Sequence, residues 1–258
     1  MSMAGTLRNS LFAALSAWVA CGCGTTATQS KPAEAPKAKE AAKVPEPAKA
    51  TEAAKAVAPT KEKSPTTVPP GEWLTMFDSR SLNGWKVVKE DSFALAGKVE
   101  VKDGAIVLGE GMPFTGVAWD GEFPKEDFEV CWEARRQGGI DIFAGLTVPV
   151  GEEHVSLVAG GWGDSVVGLS SIDDRNASDN DQTKIMSFKN GEWHKFRLRV
   201  TKKKIEAWVD DKQVANVTRE GHKFTIYDEL KPERPFGFFS WSTEGAVRLV
   251  EMQRLKPE

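Results

Sequence analysis

The sequence predicts an all-β fold, a two-sheet antiparallel sandwich, and two observations carry that expectation. From Gly71 onward apolar residues alternate with period two, the repeat of a half-buried strand, while the 3.6-residue helical period is almost absent. Gly and Asp turns cut this pattern into many short segments, and such strands bury their apolar faces by packing as two layers.

Each element has its own signature. Val99-Glu100-Val101 and Ala105-Ile106-Val107-Leu108 flank Asp103-Gly104, a pair that supplies the positive φ angles of a tight hairpin turn. Phe128, Val130, Trp132 and Ala134 share one face of the next strand, and Glu129, Cys131, Glu133 and Arg135 share the other. Ile140, Ile142, Ala144, Leu146 and Val148 form another alternating set. Phe196, Leu198 and Val200 oppose Lys195, Arg197 and Arg199. Ile205, Ala207 and Val209 follow a turn at Lys202-Lys203-Lys204. Strands over Phe236–Trp241 and Ala246–Leu255 close the chain, and only Tyr227-Asp228-Glu229-Leu230 reads as a single helical turn.

Ahead of this domain (71–258) lie two segments of different character. Residues 1–21 read as a lipoprotein-type signal peptide: Arg8, then the apolar run Leu11–Ala20, then Cys21. Ten apolar residues are too few to span a bilayer but match the core of a secretory signal. A cysteine at the cleavage point resembles the lipobox, whose thiol is lipidated. Trp18 stands where a lipobox usually has Leu, Cys23 is an alternative anchor, and an ordinary cleaved signal fits the same residues. The expected location is extracytoplasmic, with the chain anchored to a membrane.

Residues 22–70 read as a disordered linker. Lys31–Pro70 holds eight of the fourteen prolines, with eleven Ala, eight Lys and five Glu, and no aromatic residue. Such a stretch buries too little apolar surface to offset the entropy of ordering it. Extended at ~3 Å per residue, it reaches on the order of 100 Å.

The whole chain carries 34 basic and 37 acidic residues. Removing the linker's eight Lys and five Glu, and Arg8, leaves the domain 25 basic and 32 acidic, a net charge near −7. That balance disfavours nucleic acid as a partner. Cys131 is the domain's only thiol, so no disulfide forms within it, and no Cys/His spacing suits zinc.

Four ordered segments resemble one family. Phe77-Asp78-Ser79-Arg80-Ser81-Leu82-Asn83-Gly84-Trp85 resembles its opening Phe-Asn-Gly-x-x-Leu-x-Gly-Trp. Asp127-Phe128-Glu129-Val130 resembles its Asp-Phe-Glu-Leu strand start, and Gly191-Glu192-Trp193 its Gly-Glu-Trp. Trp208-Val209-Asp210-Asp211-Lys212-Gln213-Val214 resembles its Trp-x-Asn-Gly-x-x-Val hairpin. The family is the 3-keto-disaccharide hydrolase domain, and the similarity runs from about Glu72 to Leu255. It implies a concanavalin A-like jelly-roll sandwich and cleavage of glycosides already oxidised at the sugar's 3-position. Gly139-Ile140-Asp141-Ile142-Phe143 stands where the family often shows Asn-Ser-Gly-(Val/Ile), and Glu153-His154-Val155-Ser156-Leu157 where it often shows Tyr-Glu-x-Gln.

Candidate chemistry follows from residue type. Glu133, Asp141 and His154 are the candidates for proton transfer, because paired carboxylates or one imidazole serve glycosidic cleavage. A carbonyl at the 3-position acidifies the neighbouring C–H, so a single base suffices for elimination. Glu133 and Arg135 equally suit a solvated sheet face with a surface ion pair, and His154 a polar strand edge. Arg135, Trp162, Asp164 and Trp241 are the candidates for holding the sugar. Glycines in Gly160-Gly161-Trp162-Gly163 allow an indole to stand open for stacking, or to fold inward as part of a strand connection. The loop Asp173–Asp181 has the oxygen-rich composition of a calcium loop without EF-hand spacing, and a solvated loop fits it better; no cofactor is expected. The expectation is a carbohydrate-active domain, with a non-catalytic binding module of the same fold as its alternative.

Overall fold

The computed structural model describes residues 68–256. Cys21, the leader and most of the linker lie outside the described residues.

Fifteen strands are described. They are β1 (Trp73–Thr75), β2 (Trp85–Val87), β3 (Val99–Lys102), β4 (Ala105–Leu108), β5 (Phe114–Trp119), β6 (Phe128–Gly138), β7 (Gly145–Val150) and β8 (Glu153–Gly160). Then follow β9 (Val166–Ser170), β10 (Lys184–Ile185), β11 (His194–Val200), β12 (Lys204–Val209), β13 (Lys212–Thr218), β14 (Gly237–Trp241) and β15 (Glu244–Arg254). One sheet runs β13-β12-β11-β6-β15-β4-β3, with β1 also on β15; the other runs β10-β9-β8-β7-β14-β5-β2. Every pairing is antiparallel. Two antiparallel sheets with almost no helix match the expected jelly-roll sandwich.

The core lies between the sheets, where the inward half of each alternation meets its counterpart. Phe128, Val130, Trp132, Leu198 and Val200 pack against Leu146, Val148, Leu157, Phe236 and Phe238. Aromatic rings fill the centre: Trp132 stacks on Phe196 at 5.1 Å, and Trp85 meets Trp119 edge-on at 5.4 Å. The Trp85 indole donates to the Met76 carbonyl at 2.8 Å, so its one polar atom is satisfied.

The turns form as their residues dictate. Asp103 and Gly104 take φ of 50° and 74° between β3 and β4, and Asp210 and Asp211 take 46° and 63° between β12 and β13. Asp210 also accepts from the Lys195 amide at 2.9 Å and bonds His194 Nδ1 at 2.7 Å, which ties the hairpin to β11.

One alternating stretch is not a strand throughout. β6 ends at Gly138 in the larger sheet and β7 begins at Gly145 in the smaller. Ile140 is therefore solvent-exposed, on a crossover bent at Gly139 (φ 85°) and held where the Asp141 amide donates to Thr243 Oγ1 at 2.9 Å.

The outward faces differ. On the larger sheet Glu129 pairs with Arg199 at 2.6 Å, while Arg197 and Arg248 lie over Trp208 and Trp193 at 3.8 and 3.9 Å. The smaller sheet is covered by two 3-10 segments, Asp91–Phe93 and Asp228–Glu233. Phe93 and Leu230 from these segments pack on Phe114, Val158 and Phe239, making a second, smaller core.

Candidate functional site

Beyond one end of the smaller sheet is a cavity of about 350 Å³ lined by Asp141, Ile142, Trp162, Tyr227, Glu229 and Trp241. Four separate segments build it: the β6–β7 crossover, the β8–β9 turn, the second 3-10 segment and the end of β14.

The β8–β9 turn places Trp162. Gly160, Trp162, Gly163 and Asp164 all have positive φ (78°, 52°, 83° and 101°), and two of them are not glycine. Such backbone persists only where its surroundings impose it. Here Arg136, which is buried, forms an ion pair with Asp164. Its Nε donates to Asn190 Oδ1 at 2.6 Å, Nη2 donates to the Phe188 carbonyl, and its Cζ lies 5.8 Å from the Phe143 ring centroid. The loop is thus pinned from below and Trp162 is left 42% exposed.

Trp241 stands 38% exposed, its ring edge-on to Phe114 at 4.7 Å and its amide bonded to the Ile142 carbonyl at 2.8 Å. Burial pushes the Asp141 carboxyl above the usual carboxylate range. The amides of Ile142, Trp162 and Gly163 and the Arg136 charge oppose that rise. The Ile142 amide donates to Asp141 Oδ1 at 2.8 Å, so the group is fixed in place.

Asp141, Trp162 and Trp241 therefore share one cavity, with Asp164 beside it. The other candidates lie elsewhere. Glu133 is on the outer face of the larger sheet, gripped by Arg248 Nε at 2.8 Å and Nη2 at 2.7 Å. It borders a different hollow of about 260 Å³, with Cys131, Arg197, Trp208 and Leu249. Arg135 lies 4.6 Å over Trp193 and donates to Gln137 Oε1 at 2.9 Å. This pair occupies a laced sheet face. His154 is the second residue of β8 and borders a third hollow, with Glu153, Asp174, Lys231 and Arg234. Burial first, and then the Arg234 charge, hold its imidazole below the ordinary histidine range. The three proton-transfer candidates thus sit in three separate hollows.

Cys131 is half-buried, and burial with the nearby Glu129 charge pushes its thiol up to about 11. In the Asp173–Asp181 loop three of the four aspartate side chains hold protein partners. Asp173 meets His222 at 2.7 Å and the Lys223 amide at 2.8 Å, Asp174 meets Lys223 at 3.1 Å, and Asp181 meets Arg175 at 3.2 Å. Among the described residues no group of three His, Cys, Asp or Glu is placed to hold a metal ion.

Sequence reasoning missed Tyr227, Glu229 and Arg136. Tyr227 is the chain's only tyrosine and lies in the one segment with a helical signal, which was the available clue. Nothing local separates Arg136 from the other arginines of that region.

A jelly-roll sandwich with an aromatic cavity at one end of a sheet has the build of a carbohydrate-active domain. The chain belongs to the 3-keto-alpha-glucoside-1,2-lyase-like domain family, whose model matches residues 72–253. Among solved structures, Crh5 transglycosylase in complex with NAG is 15% identical, covering 74% of this chain and 89% of its own, with a TM-score of 0.51. The carbohydrate-binding module CBM66 from Bacillus subtilis is 11% identical over 66% of this chain and 95% of its own, with a TM-score of 0.44. The endo-beta-1,3(4)-glucanase SCLam is 10% identical over 74% and 95%, with a TM-score of 0.47. At such identities the likeness to Crh5 speaks to fold alone. No curated protein matches the sequence.

Proposed function

We propose that the domain binds a sugar ring in the cavity lined by Trp162 and Trp241, outside the cytoplasm and on a membrane tether. One observation carries the reading: two open indoles and a fixed carboxylate meet at a single cavity. Indole faces stack on the apolar side of a pyranose while a carboxylate accepts from its hydroxyls. Titration of the protein with neutral and oxidised glycosides, followed by tryptophan fluorescence, tests this. Trp162→Ala and Trp241→Ala are each expected to weaken binding about tenfold, the size of one lost ring contact. Unchanged affinity in both variants would refute the site.

A second reading, favoured by the family and by the raised Asp141 carboxyl, is elimination on a 3-keto glycoside. A base removes the proton from the carbon between the carbonyl and the anomeric carbon. The anomeric C–O bond breaks, and the departing oxygen takes a proton, leaving an unsaturated keto sugar and an alcohol. Asp141 and Glu229 are the two carboxylates at the cavity, and Asp141, the more buried, suits the proton donor. Incubation with a 3-keto disaccharide and its unoxidised parent checks this. Turnover of the keto sugar alone, lost in Asp141→Asn, is expected; binding without turnover leaves a binding module.

The tether rests on the apolar run before Cys21 and on the Pro/Ala/Lys/Glu composition that follows. Cys21→Ser is expected to move the protein from the membrane to the soluble fraction. If Cys23→Ser does so instead, the anchor is Cys23.

A further inference from the structure

We infer that the cavity selects a sugar bearing a free ammonium group, an unacetylated amino sugar. The inference rests on the cavity being the sugar site, and it adds the charge of the ligand.

The charged groups on the lining are Asp141 and Glu229, both carboxylates. No lysine, arginine or histidine is among the lining residues. Arg136 is the cation whose charge acts on Asp141; it is buried and absent from the lining, with its guanidinium engaged by Asp164, Asn190 and the Phe188 carbonyl. Three aromatic residues, Trp162, Tyr227 and Trp241, and the apolar Ile142 complete the lining. Ring faces carry negative potential and attract cations, and carboxylates do the same at longer range.

An ammonium brings three N–H donors and no acceptor, so it satisfies carboxylates and rings together. A uronate or sulfated sugar meets two like charges with no basic group to offset them. A neutral sugar gains the stacking but not the charge attraction. N-acetylation removes the positive charge while leaving the ring in place, so the acetylated sugar isolates the charge. The cavity volume lies in the range of small-ligand sites.

The test titrates the full chain with the methyl glycosides of glucosamine, N-acetylglucosamine and glucose, and with the galacto forms of each, by calorimetry at low and high salt. The amine is expected to bind at least about tenfold tighter than its acetylated and hydroxyl counterparts. That preference should shrink in Glu229→Gln and at high salt. Equal or tighter binding of the neutral or acetylated sugars overturns the inference and leaves the sugar site standing. A preference that Glu229→Gln and salt leave untouched also overturns it, because the amine is then read elsewhere. Binding of none of the sugars overturns both the inference and the site.

Discussion

Glu233 places an ionisable group in the interior of the domain. It is fully buried, and among the described residues its carboxyl has one hydrogen-bond partner, the Thr147 hydroxyl, which donates to Oε2 at 3.0 Å. Burial pushes its carboxyl well above the usual range. The folded protein therefore holds the proton at pH values where the unfolded chain has released it. Stability falls as pH rises through the interval between the unfolded and folded pKa values, and the full penalty persists above it. Glu233→Gln keeps the shape and an acceptor for Thr147 without an ionisable group. Its melting temperature should exceed the parent's at neutral and alkaline pH and fall level with it or below in acid; thermal scans across pH check this. A parent whose stability rises steadily from acid to alkali across that interval, while Glu233→Gln stays flat, would contradict the assignment. Asp141 titrates in the same sense: because burial raises its carboxyl, loss of its charge begins at a higher pH than for an exposed aspartate. A cationic ligand should therefore begin to leave the cavity above the ordinary aspartate range as the solution is acidified.

Elements differ in how far they shape themselves. The β3–β4 hairpin carries its own turn, since Asp103-Gly104 adopts the left-handed backbone without outside help. The nearest atom to a Cβ placed on Gly104 is Ser79 Cβ at 3.9 Å, so Gly104→Ala meets no clash and loses only backbone freedom at φ 74°. A cost of about 1 kcal/mol is expected, read as a lower urea midpoint. The β8–β9 turn is the opposite case, because Arg136 beneath it holds two non-glycine residues at positive φ. Arg136→Met removes the ion pair and leaves the Asn190 and Phe188 oxygens without this donor, at a cost of about 3 kcal/mol. It should weaken sugar binding as strongly as Trp162→Ala. Asp164→Asn, which leaves Arg136 its other partners, should cost less in both respects. Equal sugar affinity in parent and Arg136→Met would show that the turn holds its shape unaided.

At the scale of the molecule, the core lies within the sandwich; its first members among the described residues are Met76 and Phe77, between β1 and β2, with Val68 and Leu74 packed against it. Removing residues 1–70 is expected to leave the melting temperature within about 2 °C, since among the described residues of that stretch only Val68, partly buried, packs against the core, and Pro69 accepts one terminal bond from the Glu72 amide. Both sheets were legible in the sequence because period-two alternation and Asp/Gly turns are local properties of the chain. Phe128 to Ala134 and Phe196 to Val200 face inward as their spacing requires. Ile140 to Ala144 misled, because this crossover passes between two cores: Ile140 is exposed, while Ile142 enters the smaller core and Phe143 and Ala144 the larger, so its burial does not follow the strand alternation. Trp162 and Trp241 were legible as a pair of candidate rings, since a tryptophan among glycines and another at a strand end are local signals. Their meeting with Asp141 was not. The sequence by itself determined the layers, the hairpin turns, the inward faces and the segment that carries the open indole. Only the tertiary structure decided that Glu133 and His154 stand apart from Asp141, that Glu229 and Tyr227 join it, and that Arg136 holds the loop. The physical reason is range: periodicity and turn preference act over a few residues, whereas the cavity unites four segments spread from Asp141 to Trp241, which only the pairing and packing of the two sheets bring together.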